Sequence, residues 1–227
     1  MNVPQMQEMK KPFNEINEDV MNASAKFWDK VAEKYAKQPV ADEAAYQKKL
    51  AVTRSYFRLD MEVLEIDCGT GLTAILHASY VKHIRAIDFS ANMIAIAQGK
   101  AEAEHIDNVA FEQGTIESLN SPDQSLDAVL GFSILHLLKN KEAAIAQVYQ
   151  MLKPGGLFVT STVCVGDTMS WLKLIAPIGQ FLGILPFVQV LTAQALADSL
   201  IQARFELDYQ WQPSKGKAVF IVAKKPE

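Results

Sequence analysis

Two glycines behind an acidic strand, with a second acid at a set distance, are the residues of this chain best arranged for chemistry. The run Glu65-Ile66-Asp67-Cys68-Gly69-Thr70-Gly71-Leu72 closes a short apolar segment. Glycines at 69 and 71 permit a tight turn and let a ligand approach the backbone, and a helix starting after them offers free N–H groups to a carboxylate or phosphate. Asp88 ends the next apolar run, 17 residues beyond Gly71. A carboxylate there can accept from two ribose hydroxyls, so the two features together point to a nucleoside-containing cofactor. Gly69-x-Gly71-x-x-Ala74 also fits the dinucleotide fingerprint, which leaves a nicotinamide-dependent oxidoreductase open at this point. Glu65 lies within the strand, where burial is costly without hydrogen bonds, and so suggests a polar ligand or a loop to be held. Further on, Gln113-Gly114-Thr115-Ile116-Glu117 supplies small and apolar side chains suited to a purine ring.

These residues need elements to position them. Short apolar runs at 63–66, 84–87, 109–111, 128–130 and 157–159 alternate with helix candidates at 72–80, 91–103 and 141–152, the last stopped by Lys153-Pro154-Gly155-Gly156. That alternation predicts a doubly wound, mostly parallel sheet with helices on both faces. Near the end, Thr192 caps a helix carrying Leu196 and Leu200, and two strands follow with only a Pro213–Gly216 turn between them, which predicts an antiparallel hairpin. Ahead of the sheet, residues 1–60 read as a helical cap, with Phe27, Val31 and Tyr35 marking one face and Tyr46, Leu50 and Phe57 another.

Composition narrows the function classes. The chain has 227 residues, 49% hydrophobic and 21% charged, with a net charge of −4 and no basic tract, which disfavours nucleic acid as a partner. Cys68 and Cys164 lie 96 residues apart without C-x-x-C spacing, and His77, His83, His105 and His136 are scattered, so no metal site is expected. The opening MNVPQMQEMKKPFNE lacks the apolar core of a signal peptide, and a cytoplasmic address is the default expectation. Leu174 to Ala197 carries no charge and is long enough to span a bilayer, yet Pro177, Gly179, Gly183 and Pro186 interrupt it. It reads instead as a buried segment or lid within an insertion at about 166–191.

Five ordered runs carry a family resemblance: VLEIDCGTG at 63–71, AIDFSANM at 86–93, FEQGTIESL at 111–119, SLDAVLGFSILHLL at 125–138 and LKPGG at 152–156. The chain resembles the class I S-adenosylmethionine-dependent methyltransferases, in their small-molecule branch, over about residues 25–223. The resemblance implies a Rossmann-like sheet of seven strands with the last antiparallel. It also implies a methyltransferase domain over 61–227 that uses S-adenosylmethionine and releases S-adenosylhomocysteine. By the same resemblance, Glu65, Gly69 and Gly71 hold the methionine end of the cofactor, with Asp67 and Cys68 between them, and Asp88 holds the ribose. Phe89, Met93 and Ile116 pack on the adenine, with Gly114 and Thr115 beside its amino group, and Gly131-Phe132 passes beneath the cofactor's own amino group. Tyr35 closes over the cofactor, and Arg54 is a candidate for its carboxylate. The family usually has glycine in place of Asp67 and Asp in place of Thr115. The Asp67 carboxylate either repels the cofactor carboxylate or attracts its amino group or sulfonium, which keeps a non-catalytic cofactor binder open as another reading.

The resemblance also bears on the acceptor. The N-P-P-Y-like run of amino-methylating DNA enzymes is replaced by Gly131-Phe132-Ser133-Ile134. With the family's strand order, the fourth strand separates those bearing Cys68 and Cys164, which puts the two about 9.5 Å apart, too far for a disulfide. His136, just past the fourth strand, is the candidate base or acceptor-orienting residue. Trp171, Phe181, Phe187 and their apolar neighbours suggest a lid over an apolar acceptor such as a lipid, quinone precursor or aromatic metabolite. The alternative for 171–190 is a helix pair that packs on the core or on a second subunit as a homodimer surface, and a transient lipid contact through the same segment also stays open.

Overall fold

The computed structural model describes residues 25–119, 121–169 and 189–227. Two helices precede the sheet: α1 over 25–36 and α2 over Glu43–Tyr56. They are followed by β1 (Glu62–Ile66), α3 (Leu72–His77), β2 (His83–Asp88), α4 (Ala91–Ala103), β3 (Val109–Gln113), β4 (Leu126–Phe132), α5 (Lys141–Met151), β5 (Leu152–Val163), α6 (Ala193–Gln202), β6 (Glu206–Trp211) and β7 (Ala218–Lys224). The seven strands lie in the order β3-β2-β1-β4-β5-β7-β6. β1 to β5 run parallel, and β7 is antiparallel to both of its neighbours. The sheet is therefore the doubly wound one expected.

Strands covered on both faces must be apolar on both. In β1, Leu64 and Ile66 face α5 and α6 while Val63 faces α3 and α4, and all three are buried. Each such side chain stabilises the fold by roughly 1.5–3 kcal/mol. In β7 every residue from Val219 to Ala223 is fully buried, because its partners β5 and β6 sit on either side. The expected cap Thr192 accepts from the backbone N–H three residues on at 3.1 Å, and Ser90 and Asn140 cap α4 and α5 in the same way at 3.2 and 3.1 Å. The 72–80 helix ends sooner than expected, at His77, and continues as a single 3-10 turn.

The N-terminal helix corrects the sequence reading. Phe27 and Tyr35 are 55% and 47% exposed, and Ala32 is the fully buried residue of α1. Periodicity alone allows two stripes, 27/31/35 and 28/32/36. The second wins because small Ala32 permits close approach and Asp29 beside it reaches the start of α4. The Ser90 hydroxyl and the Asn92 N–H both donate to Asp29 Oδ1, and Asn92 Nδ2 donates to the Asp29 carbonyl at 3.1 Å.

The expected lid falls mostly on 170–188, outside the described residues, as does 1–24 of the cap. Its described stems meet: the Gly166 N–H donates to the Leu191 carbonyl at 2.8 Å. No helix among the described residues is long and apolar enough to cross a membrane.

Candidate functional site

Strand order reverses between β1 and β4, and in open α/β sheets the carboxyl ends of the strands on either side of such a switch point border the ligand cleft. β1 ends because Asp67 and Gly69 take left-handed conformations, at φ +52° and +54°. Asp is one of the few non-glycine residues that tolerate this region, which explains how it stands at position 67 without breaking the turn. The Cys68 N–H donates to the Ile87 carbonyl at 2.9 Å, tying the loop to β2, and the Gly71 N–H closes the turn onto the Cys68 carbonyl at 3.0 Å. From α4, Lys100 Nζ reaches Thr70 Oγ1 at 2.9 Å.

The two loop glycines have different reasons. A Cβ on Gly71 would lie 2.7 Å from the Ala97 Cβ and 2.8 Å from the Phe111 ring, so glycine is required by packing of the loop on α4 and β3. A Cβ on Gly69 would meet only the Tyr35 ring, at 3.9 Å. Gly69 therefore faces open space, and Tyr35 stands over it from α1.

Asp88 organises the cleft. Its Oδ2 accepts from the Gly69 N–H at 2.8 Å and its Oδ1 from the Ser90 N–H at 2.9 Å, while its carbonyl accepts from the Gly114 N–H at 3.0 Å. Each oxygen keeps a lone pair for a ligand. Burial raises the Asp88 pKa, and the N–H donors of Ser90 and Gly69 oppose the rise. Glu65 lies beneath, 2% exposed, with its Oε2 buried and lacking a hydrogen-bond partner among the described residues. Burial, reinforced by the Asp88 charge, pushes its pKa up to about 8. Asp67 is half-buried, and burial with the charges of Asp88 and Glu117 raises its pKa as well. Cys68 is buried beside these carboxylates, and burial pushes its thiol pKa up, so it is an inert thiol.

The structure thus gathers Tyr35, Glu65, Asp67, Cys68, Gly69, Gly71, Asp88 and Gly114 at one place. Gly131 and Phe132 end β4 on the neighbouring side, and Phe89 and Thr115 are half-buried at the rim. The Thr115 hydroxyl is already engaged, accepting from the Ser118 N–H at 3.2 Å within a local turn. Met93 and Ile116 are 2% and 1% exposed, so both are core residues with little surface left for a ring.

Arg54 is not brought to the loop. Its Nη2 donates to the Leu76 carbonyl at 2.7 Å and its guanidinium lies 4.5 Å over the Tyr80 ring, at the far end of α3. The reason is helix length: Arg54 lies eight residues, about 12 Å, further along α2 than Tyr46, whose hydroxyl meets Thr73 Oγ1 at the loop end of α3.

His136 occupies the turn after β4, half-buried, with its Nδ1 lacking a partner among the described residues. Burial lowers its pKa below the ordinary imidazole value, which favours the neutral form. Its carbonyl accepts from the Gln189 N–H at 2.7 Å, which ties this turn to the end of the insertion. Sequence reasoning missed Asp29, Lys100 and a contact between Lys49 and Ser161. None has a local signal, since each partner lies at least 30 residues away.

Residues 63–156 match the family model described as a methyltransferase domain. The uncharacterized methyltransferase YcgJ of Bacillus subtilis is 31% identical over 132 residues, which cover 58% of this chain and 52% of that protein. Its crystal structure superposes with a TM-score of 0.66 at 18% identity over 80% of this chain and 99% of that one. A demethylmenaquinone methyltransferase of Leptospira interrogans is 32% identical over 122 residues, covering 51% of this chain and 48% of that protein. Geranyl diphosphate methyltransferase, solved with GPP and sinefungin, superposes with a TM-score of 0.67 at 13% identity, covering 81% of this chain and 78% of that one. The chain spans about half the length of the curated relatives it matches. Sheet order, the loop and acid at the switch point, and these matches agree: the chain is similar to the class I S-adenosylmethionine-dependent methyltransferases in fold, and its residues 63–156 match a methyltransferase domain.

Proposed function

We propose that this protein is a methyltransferase acting on a small acceptor of apolar or aromatic character, such as a lipid or quinone precursor. The observation that carries the cofactor side is the orphaned Oε2 of Glu65, buried in the floor of a cleft whose Gly69 faces open space. A buried acceptor with no donor costs about 1–3 kcal/mol unless a ligand completes it. An ammonium group does so, and would draw the Glu65 proton off.

On this reading Glu65 and the Gly69–Gly71 loop hold the methionine end and Asp88 takes the ribose hydroxyls. Phe89 and the Gly114–Thr115 edge border the adenine, and Tyr35 covers the loop from α1. Bound there, S-adenosylmethionine supplies an electrophilic methyl group on a sulfonium. The protein's own part is to hold the acceptor in line at near-attack distance and to keep water out. His136, whose Nδ1 has no partner among the described residues and whose burial favours the neutral imidazole, is the candidate to take a proton from an acceptor that loses one as it attacks. The acceptor class is supported by the apolar residues of the insertion and by the demethylmenaquinone and geranyl diphosphate methyltransferases among the relatives.

The test is release of S-adenosylhomocysteine when the protein and S-adenosylmethionine are offered a panel of quinols, catechols, phenols and prenyl compounds. Turnover on at least one, reduced by His136→Ala for hydroxyl acceptors, is expected. Tight cofactor binding without turnover on any member would favour a non-catalytic binder.

A further inference from the structure

Lys49, on the face of α2 that covers the sheet, donates from Nζ to Ser161 Oγ at 2.9 Å, across 112 residues of sequence. Ser161 is 2% exposed and sits near the carboxyl end of β5, paired with Phe132 of β4. Its carbonyl accepts from the Ser133 N–H at 2.7 Å, and Ser133 is held at a left-handed φ of +62°. This corner therefore lies where β4 and β5 open into the cleft, two strands and about 9.5 Å from β1.

Ser161 Oγ accepts that bond, and the donors of the pair outnumber its acceptors. After one bond to Ser161, the ammonium keeps two N–H groups and the serine keeps its O–H, and no acceptor is recorded for any of them among the described residues. No ion pair among the described residues involves Lys49. The carboxylate that acts on it, Asp42, is occupied in capping α2 through the Ala45 N–H at 3.1 Å. Burial lowers the Lys49 pKa, the mark of a cation short of compensation. The other end of the cleft has the opposite character, with Glu65, Asp67 and Asp88 together around the glycine loop. Acids at one end suit a cationic cofactor, and unsatisfied donors at the other suit an anion.

We infer that Lys49 and Ser161 form an oxyanion-binding subsite at the acceptor end of the cleft, so that the acceptor is an apolar molecule bearing a carboxylate or phosphate group. The inference rests on the methyltransferase reading, which makes this the acceptor's end. Lys49 is a positioning residue here, holding the acceptor by its charge.

The experiment uses the full chain and two probes that share an apolar tail, octanoate and octan-1-ol. S-adenosylhomocysteine is titrated first, and each probe is then titrated into the saturated protein. Wild type is expected to bind octanoate about tenfold more tightly than octanol. Lys49→Gln should abolish that preference and Lys49→Arg should keep most of it, with S-adenosylhomocysteine affinity in both variants within about twofold of wild type. Inorganic phosphate should compete with octanoate if a phosphate headgroup suits the subsite; failure to compete would restrict the subsite to carboxylates. Equal binding of the two probes, binding of neither, or a preference that survives Lys49→Gln would overturn the inference. So would a large loss of S-adenosylhomocysteine affinity in Lys49→Gln, which would assign the ammonium to the cofactor's own carboxylate. Failure of wild type to bind S-adenosylhomocysteine is a separate result that overturns the reading beneath it.

Discussion

The two ends of the cleft are built on different principles. Around β1 and β2 the site is mostly backbone: loop N–H groups, three left-handed residues and the Asp88 carboxylate that ties Gly69 to Ser90. Around β4 and β5 it is made of side chains from separate elements, with Lys49 of α2 on Ser161 of β5 and His136 on the turn after β4. The first end is pre-organised and internally satisfied except for Glu65. The second keeps donors and an imidazole nitrogen in reserve. A cofactor common to many enzymes can be met by fixed backbone, whereas an acceptor must be met by groups that vary.

The largest effect should come from separating the two glycines. Gly71→Ala forces a Cβ into Ala97 and Phe111 at a φ of +77°, and should destabilise the fold by about 2–5 kcal/mol, seen as a fall in Tm. Gly69→Ala bears only the backbone penalty, about 1–2 kcal/mol, but should weaken S-adenosylhomocysteine binding more than tenfold, because its Cβ enters the open cleft. Equal loss of stability in the two would break the distinction between a packing glycine and a ligand glycine.

Glu65 gives a pH-dependent test of the next size. Its folded pKa of about 8 lies above its ordinary 4.5, so between those values the folded protein holds a proton that the unfolded chain has released. Stability from this group is present at low pH and is lost as pH rises from about 4.5 through about 8. Glu65→Gln should flatten that part of the unfolding profile. In wild type at pH 7, S-adenosylhomocysteine binding should release protons, measured as a dependence of the titration heat on the buffer's ionisation enthalpy. Uptake of protons would mean that Glu65 does not meet the ammonium.

The smallest effect concerns α1. Asp29→Ala removes the acceptor of Ser90 and Asn92 and should cost about 1 kcal/mol, with faster amide exchange over 25–36 and a few-fold faster release of S-adenosylhomocysteine. Unchanged exchange would show that the helix is held by Trp28 and Ala32 alone.

The same contrast governs what was legible in the sequence. The glycine loop, Asp88 and the strand-helix rhythm could be read because each is a local pattern, with periods and spacings fixed by the backbone. The exposed and buried stripes of α1 could not be told apart, because both have helical spacing and only the contact of Asp29 with α4 selects one. Arg54 was misassigned for a related reason: sequence gives the face of α2 but not how far along α3 it reaches. Lys49 and Ser161 carry no pattern, since 112 residues separate them and the sheet alone joins them. Asp67 was an open departure from the family pattern, and its φ of +52° shows how the backbone accommodates it.

The most direct single measurement is calorimetric titration of S-adenosylmethionine and S-adenosylhomocysteine into wild type and Asp88→Ala. Micromolar binding that falls by about 30-fold or more in the variant is expected, because Asp88 fixes the Gly69 loop and, on the proposed reading, receives the ribose. Absence of binding in wild type, or equal binding in a folded Asp88→Ala protein, would contradict the assignment of the cleft to this cofactor.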